Sequence, residues 1–261
     1  MIDLHAHLLP GIDDGPATVE ESIETARAMA ADGARTVATT PHLREDHPAV
    51  RPSELASRTA DLQASLDEAG VALGLVPGAE IDILCARETS PENLRLASYG
   101  GRGTHVLVET PYGPLPERFE DLLFELTLAG LQILLAHPER NPTFQHAPDR
   151  LARLVGRGVL VQVTAMALAA RSRGSRSRRL ALSLVEEGLA HVIASDAHAL
   201  AMGRPVGLAA GVAAAAEVAP ARAEWMVTDA PAAILAGEAL PSPPAERHRP
   251  RRGLRRLMPR A

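Results

Sequence analysis

The chain of 261 residues contains no lysine; all 27 of its basic residues are arginine. That excludes lysine Schiff-base chemistry and the lysine of a phosphate-cradling P-loop. Cysteine is reduced to one residue, Cys85. A lone cysteine forms no internal disulfide, which fits a reducing compartment, so a cytoplasmic location is expected. A cysteine-dependent phosphatase carries arginine six positions after its nucleophile, and here that position is Pro91. Aromatic residues are only 2% of the chain, so the core must be aliphatic, and base-stacking recognition of single-stranded nucleic acid is disfavoured. The net charge of −5 also argues against a nucleic-acid binder. No apolar run approaches the roughly 20 residues of a membrane-spanning helix. The N-terminus shows no basic region followed by an apolar one, so no signal peptide is expected.

What is present is ordinary in bulk, 46% hydrophobic and 23% charged, and long enough for one large α/β domain. Apolar, mostly β-branched runs recur at 1–5, 35–39, 71–76, 104–109, 131–136, 159–163 and 191–195. They read as parallel strands covered on both faces. Amphipathic helices fall between most of them. Thr18 and Glu21 suggest a capping box, followed by Val19, Ile23, Ala26 and Ala30 at helical spacing and by Gly33 at the C-cap. A second clear helix opens after Pro116, carries Phe119, Leu122, Leu123 and Leu126, and stops at Gly130. Seven strands in strand–helix order predict an α/β barrel of the TIM-like type, with a doubly wound open sheet as the alternative. One domain is expected over 1–240. Residues 241–261 form a basic tail, with four prolines and seven arginines from Ser242 onward. It reads as a disordered, solvated end, a contact with membrane lipid or an acidic partner being the minor alternative.

The chemistry is concentrated after the predicted strands. His5 and His7, two apart, can face one side of a strand, and Asp13-Asp14-Gly15 follows as an acidic turn. His42 ends Thr40-Pro41-His42, Glu80 ends Gly78-Ala79-Glu80, Glu109 closes the fourth run, and His137 opens His137-Pro138-Glu139-Arg140. Asp196 and His198 are again two apart after the last run. Singly, such residues are commonly packing histidines or helix-cap acids. Six C-terminal strand ends carrying them is different, because in a barrel those ends converge on one face. Buried together, imidazoles and carboxylates are costly unless divalent cations neutralise them. His47, His105, His146, His191 and His248 fall outside the pattern and are read as structural, His105 and His191 at strand beginnings and His146 at a helix start.

These residues give the sequence a resemblance to the PHP (polymerase and histidinol phosphatase) superfamily. More narrowly, it resembles the bacterial manganese-dependent protein-tyrosine phosphatases of capsular and exopolysaccharide biosynthesis. The likeness is carried by IDLHAHLLPGIDDGP at 2–16, TTPH at 39–42, GAEI at 78–81, VETPY at 108–112, LAHPERN at 135–141, SDAH at 195–198 and Gly203-Arg204-Pro205. It spans residues 1–237.

The resemblance implies a distorted (β/α)7 TIM-like barrel, the PHP fold, and three divalent metals, manganese before iron or zinc. His5, His7, Glu80 and Asp196 would hold the first. Glu80 would bridge to a second, with Glu109 and His137. Asp14, His42 and His198 would hold the third, Asp13 being the fallback for Asp14. Arg140 and Arg204 would bind the substrate phosphoryl group. The implied substrate is a phosphotyrosine protein, a bacterial tyrosine kinase tail. Competing readings are a phosphatase of small metabolites and a non-catalytic interaction module. The arginine-rich stretch 171–179 has no assigned role beyond a solvated helix face.

Overall fold

The computed structural model describes residues 1–111, 113–170, 172, 174–200 and 206–246. Every run expected to be a strand contains one, but two are interrupted. The strands are β1 Ile2–Ala6, β2 Thr36–Thr39, β3 His42–Leu43, β4 Gly74–Pro77, β5 Glu80–Asp82, β6 His105–Glu109, β7 Gln132–Ala136, β8 Leu160–Thr164 and β9 Val192–Ala194. β3 and β5 continue the second and third barrel positions beyond breaks at Pro41 and Gly78. Proline offers no N–H to a ladder, so the pairing stops and resumes on its far side. The ladder therefore runs β1-β2-β4 below the break and β3-β5-β6-β7-β8-β9 above it, all parallel. The third run starts later than expected. Val71 N–H bonds to Leu66 O at 2.9 Å and finishes the helix Leu55–Glu68, leaving Gly74 as the first strand residue.

The two ends of the ladder are joined. His7 N–H donates to Ala197 O at 2.8 Å, Asp196 N–H donates to His5 O at 2.9 Å, and Ala6 bridges Ala197 in parallel. The result is a distorted (β/α)7 TIM-like barrel rather than an open sheet.

Alternation along each strand sorts the core into two layers. Leu4, Ala38, Leu107, Leu134, Ala136, Val192 and Ala194 fill the barrel interior with Tyr99, whose hydroxyl donates to Leu4 O at 2.8 Å. Val37, Val106, Ile133, Leu135, Val161 and Ile193 face outward onto Met29, Leu62, Leu126, Leu151 and Leu184. The first helix, Val19–Ala31, is capped by Thr18, whose hydroxyl accepts from Glu21 N–H. Glu21 reaches back one residue further than a capping box requires, to Ala17 N–H at 2.8 Å. The helix Phe119–Leu128 buries Phe119, Leu122, Leu123 and Leu126, as its spacing predicts.

Two local expectations change. His146 ends the helix Pro142–His146 instead of starting one, because Asn141 caps Thr143 N–H and Pro142 occupies the first turn. Within 171–179, the helix begins only at Arg176, capped by Ser175; Arg171 and Arg173 lie outside the described residues. So do Arg204, His248 and residues 247–261 of the basic tail. Among the described residues no helix is long and apolar enough to cross a membrane.

Candidate metal centre

The inward face of each strand is carried to its C-terminal end, where the residue type changes. Ala38 leads through Thr40 to His42, Leu107 to Glu109, and Val192 through Ala194 to Asp196. At β1 the register against β2 shifts between Asp3 and Ala6, and His5 and His7 both turn toward the barrel axis. The acidic turn after them is held against β1 by Gly15, where a Cβ would lie 2.7 Å from His7 O. His137 and Asp196 have φ of 31° and 55°, the only positive values outside glycine among the described residues. Left-handed backbone is costly for such residues and gathers at functional sites.

All nine expected ligands are brought into one basin. His5 Nε2 lies 3.2 Å from His7 Nε2 and 3.3 Å from both Glu80 Oε2 and Asp196 Oδ1. Glu80 sits at the centre: His137 Nε2 is 2.8 Å from Oε1, and His42 Nδ1 is 2.9 Å from Oε2. Glu109 Oε2 is 3.6 Å from His42 Nδ1. Asp14 Oδ1 lies 3.3 Å from His198 Nε2 and 3.6 Å from His42 Nε2. Eight of the nine side chains are buried; Asp14 is the partly exposed member.

Four groups have ligand atoms close enough to share an ion: His7, Asp14, His42 and His198; His5, His7 and Glu80; His42, Glu80 and Glu109; and His5, His137 and Asp196. Two correspond closely to the expected sets. The second set divides, with Glu109 beside His42 and His137 beside His5 and Asp196.

The adjacent aspartates separate clearly. Asp13 has its oxygens engaged by His7 Nδ1 at 2.7 Å, His42 N–H at 3.1 Å and Gly15 N–H at 3.0 Å. It holds the outer side of His7 and the start of β3, while Asp14 faces the basin. Arg140 reaches Asp196 Oδ2 with one guanidinium nitrogen at 2.6 Å and keeps 43% of its side chain exposed. It stands at the mouth, beside a small cleft lined by Glu109, Thr110, Pro111, His137 and Asn141.

The electrostatics describe a site balanced between cations and anions. Burial opposes charge on His5, but Glu80 and Asp196 outweigh it and raise its pKa to about 9. His7 is likewise lifted well above the ordinary value against burial, by Asp13, Asp196 and Glu80. Burial pushes Glu80 and Asp196 upward, yet the histidines around them, His5 foremost, hold both well below the carboxylate range. Glu109 goes the other way: burial and then Glu80 raise it to about 8, against Arg44.

This donor set fits divalent cations. His42 Nδ1 and Glu80 Oε2 are buried and, though 2.9 Å apart, lack hydrogen-bond alignment. Two imidazole nitrogens facing each other at 3.2 Å are likewise better served by a shared cation than by each other. Mixed imidazole and carboxylate donors suit manganese, iron or zinc.

Several neighbours were not anticipated from sequence. Gln162 Oε1 lies 3.1 Å from His5 Nδ1 and accepts from His137 N–H at 3.3 Å. Arg44 reaches Glu109 at 3.4 Å. His47, read as structural, stacks on His42 with centroids 5.4 Å apart. Glu139 is fully buried and accepts from Thr164 N–H at 2.9 Å. The spacing of Arg44 and His47, two and five residues past His42, was the available signal. Gln162 had only its polarity inside an apolar run.

Fold and site together define a barrel protein whose strands gather, at their C-terminal ends, side chains that could hold metal ions. The family model for capsular polysaccharide synthesis, CpsB/CapC, matches residues 1–236, and the chain belongs to that family. It is 35% identical over 198 residues to the tyrosine-protein phosphatase YwqE of Bacillus subtilis, covering 76% of this chain and 77% of YwqE. It is 24% identical over 204 residues to the tyrosine-protein phosphatase CpsB of Streptococcus pneumoniae, covering 77% of this chain and 84% of CpsB. A solved structure from work on YwqE and CpsB, described as unique metal-dependent tyrosine phosphatases, superposes with a TM-score of 0.80. It shares 31% identity and covers 95% of this chain and 100% of its own. A lactonase template engineered for organophosphate hydrolysis shares the fold alone, with a TM-score of 0.50, 16% identity and coverage of 90% and 95%.

Proposed function

We propose that the chain is a metal-dependent phosphoric monoester hydrolase that removes phosphate from phosphotyrosine on protein. The substrate we assign is the tail of a bacterial tyrosine kinase that controls capsular or exopolysaccharide synthesis, in the cytoplasm. One observation carries this reading: nine side chains of ligand type from six strand ends, eight buried and Asp14 exposed, meet in one basin, in a chain whose relatives YwqE and CpsB are named tyrosine-protein phosphatases.

Three divalent cations, manganese before iron or zinc, would be held by His5, His7, Asp14, His42, Glu80, Glu109, His137, Asp196 and His198. When bound, such cations lower the pKa of water and offset negative charge on phosphoryl oxygens. The chain supplies the rest. Arg140 presents a guanidinium at the mouth, geometry suited to paired phosphoryl oxygens, and its bond to Asp196 fixes its direction. Arg204 is assigned the same role from the sequence motif and lies outside the described residues. A small cleft at Pro111 and Asn141 opens beside Glu109, His137 and Arg140. Overall, a water oxygen becomes bonded to phosphorus, the bond from phosphorus to the tyrosine oxygen breaks, and a proton from water ends on the phenol.

The test is hydrolysis by metal-stripped protein and by protein reloaded with manganese, iron or zinc. A phosphotyrosine peptide should be cleaved faster than sugar phosphates or histidinol phosphate, and only after reloading. Preference for a metabolite would move the substrate assignment. Absence of metal uptake and of turnover would leave a non-catalytic module.

A further inference from the structure

We infer that Gln162 is a positioning residue that fixes which nitrogen of His5 faces the metals. The inference rests on the metal-centre reading and adds to it a residue that supplies no ligand atom.

Gln162 lies on β8, fully buried, on the inward face that otherwise carries the apolar interior of the barrel. An amide placed there needs partners, because an unpaired buried polar group costs free energy. One of its two contacts is unambiguous. The backbone nitrogen of His137 carries a hydrogen and can only donate, and it points at the Gln162 side chain from 3.3 Å. The atom receiving that bond must be the amide oxygen; rotating the amide would set NH2 against N–H. The same oxygen lies 3.1 Å from His5 Nδ1. A nitrogen facing a carbonyl oxygen must bring the proton, so His5 carries hydrogen on Nδ1. In the neutral form that a metal ligand requires, its Nε2 is left to offer a lone pair, and Nε2 is the atom turned toward Glu80, Asp196 and His7 Nε2.

The other end of the amide supports this. Gln162 Nε2 is buried and, among the described residues, has no hydrogen-bond partner. The side chain thus leaves its own donor unmet while its oxygen receives two bonds. A residue selected only to fill the barrel would be apolar, like its ladder partner Val192. The neighbouring ligand uses the same device with a different group, since Asp13 receives His7 Nδ1 at 2.7 Å and directs His7 Nε2 into the basin. Outer partners of this kind orient metal-bound histidines generally. Here one oxygen also ties down His137, whose backbone is left-handed, so Gln162 couples two ligands distant in sequence.

The experiment uses the full chain loaded with zinc, which is diamagnetic. In long-range proton–nitrogen spectra of nitrogen-15-labelled histidine, the His5 signal is the one lost in His5→Gln. It should show the proton on Nδ1 and zinc on Nε2. Zinc affinity, measured by chelator competition, should fall about 10–100-fold in Gln162→Leu. Gln162→Glu keeps an acceptor at the same reach and should restore it, whereas Gln162→Met, which fills similar space without an oxygen, should not. Zinc on His5 Nδ1 overturns the inference, as does unchanged affinity in Gln162→Leu. If that variant fails to fold, the wild-type spectrum and Gln162→Glu still decide. A wild-type chain that takes up neither zinc, manganese nor iron overturns the metal reading itself, and so is told apart from failure at Gln162 alone.

Discussion

The plug of the barrel and its rim are made by the same strand faces, yet one is aliphatic apart from Tyr99 and Gln162 and the other is dominated by ionisable groups. Leu107 and Glu109 are two residues apart on one strand, and Ala194 and Asp196 differ by the same step. Alternation decides only that a side chain points inward; the residue placed there decides whether it packs or binds. The consequence is a division of labour in which interior residues should govern stability and rim residues activity.

The sharpest way to break that division is at the rim. His42→Ala or His137→Ala should lower turnover of p-nitrophenyl phosphate by more than the roughly 100-fold that loss of an outer-shell partner costs. Full activity in either variant would remove the residue from the site. At the plug, Leu134→Ala should cost about 2–5 kcal/mol of unfolding free energy. Turnover of the folded fraction at low temperature should stay as it is, and a matching drop in kcat would show that the two regions are not separable.

The opposite pole of the barrel sharpens the contrast. Burial, aided by Arg222, lowers His191 to about 4, and its Nδ1 accepts from Val161 N–H at 3.1 Å. The folded chain keeps this ring neutral, while the unfolded chain protonates it below about pH 6.5. The stability it contributes is therefore complete above about pH 6.5 and is lost as pH falls toward 4. Urea midpoints should fall less steeply over that window in His191→Gln; parallel slopes would refute the assignment. The smallest effect is expected at Thr18→Ala, where loss of the helix cap should cost about 1 kcal/mol and leave kcat unaltered.

Much of this was legible before any coordinates. Apolar, β-branched runs located the strands, and His42, Glu80, Glu109 and Asp196 stood where those runs end, so the make-up of the basin could be read directly. What escaped reading depends on partners distant in sequence. Gln162 matters through His5, 157 residues away, and nothing local announces it. Asp13 and Asp14 are chemically identical neighbours, and only the turn at Gly15 sends one to His7 and the other to His198. β3 and β5 resume beyond Pro41 and Gly78, and the apolar runs before those residues do not announce that the pairing continues.

The left-handed backbone at His137 and Asp196 has a consequence for how the rim could change over time. His137 and Asp196 each occupy a conformation that a residue lacking a Cβ enters freely, at a cost of order 1–3 kcal/mol for any other. Glycine at either position would erase a ligand and relax the chain in one step, giving a sturdier molecule with an emptier mouth. Retention of both side chains is thus maintained against a local gradient in stability, the trade between durability and activity that functional strain imposes.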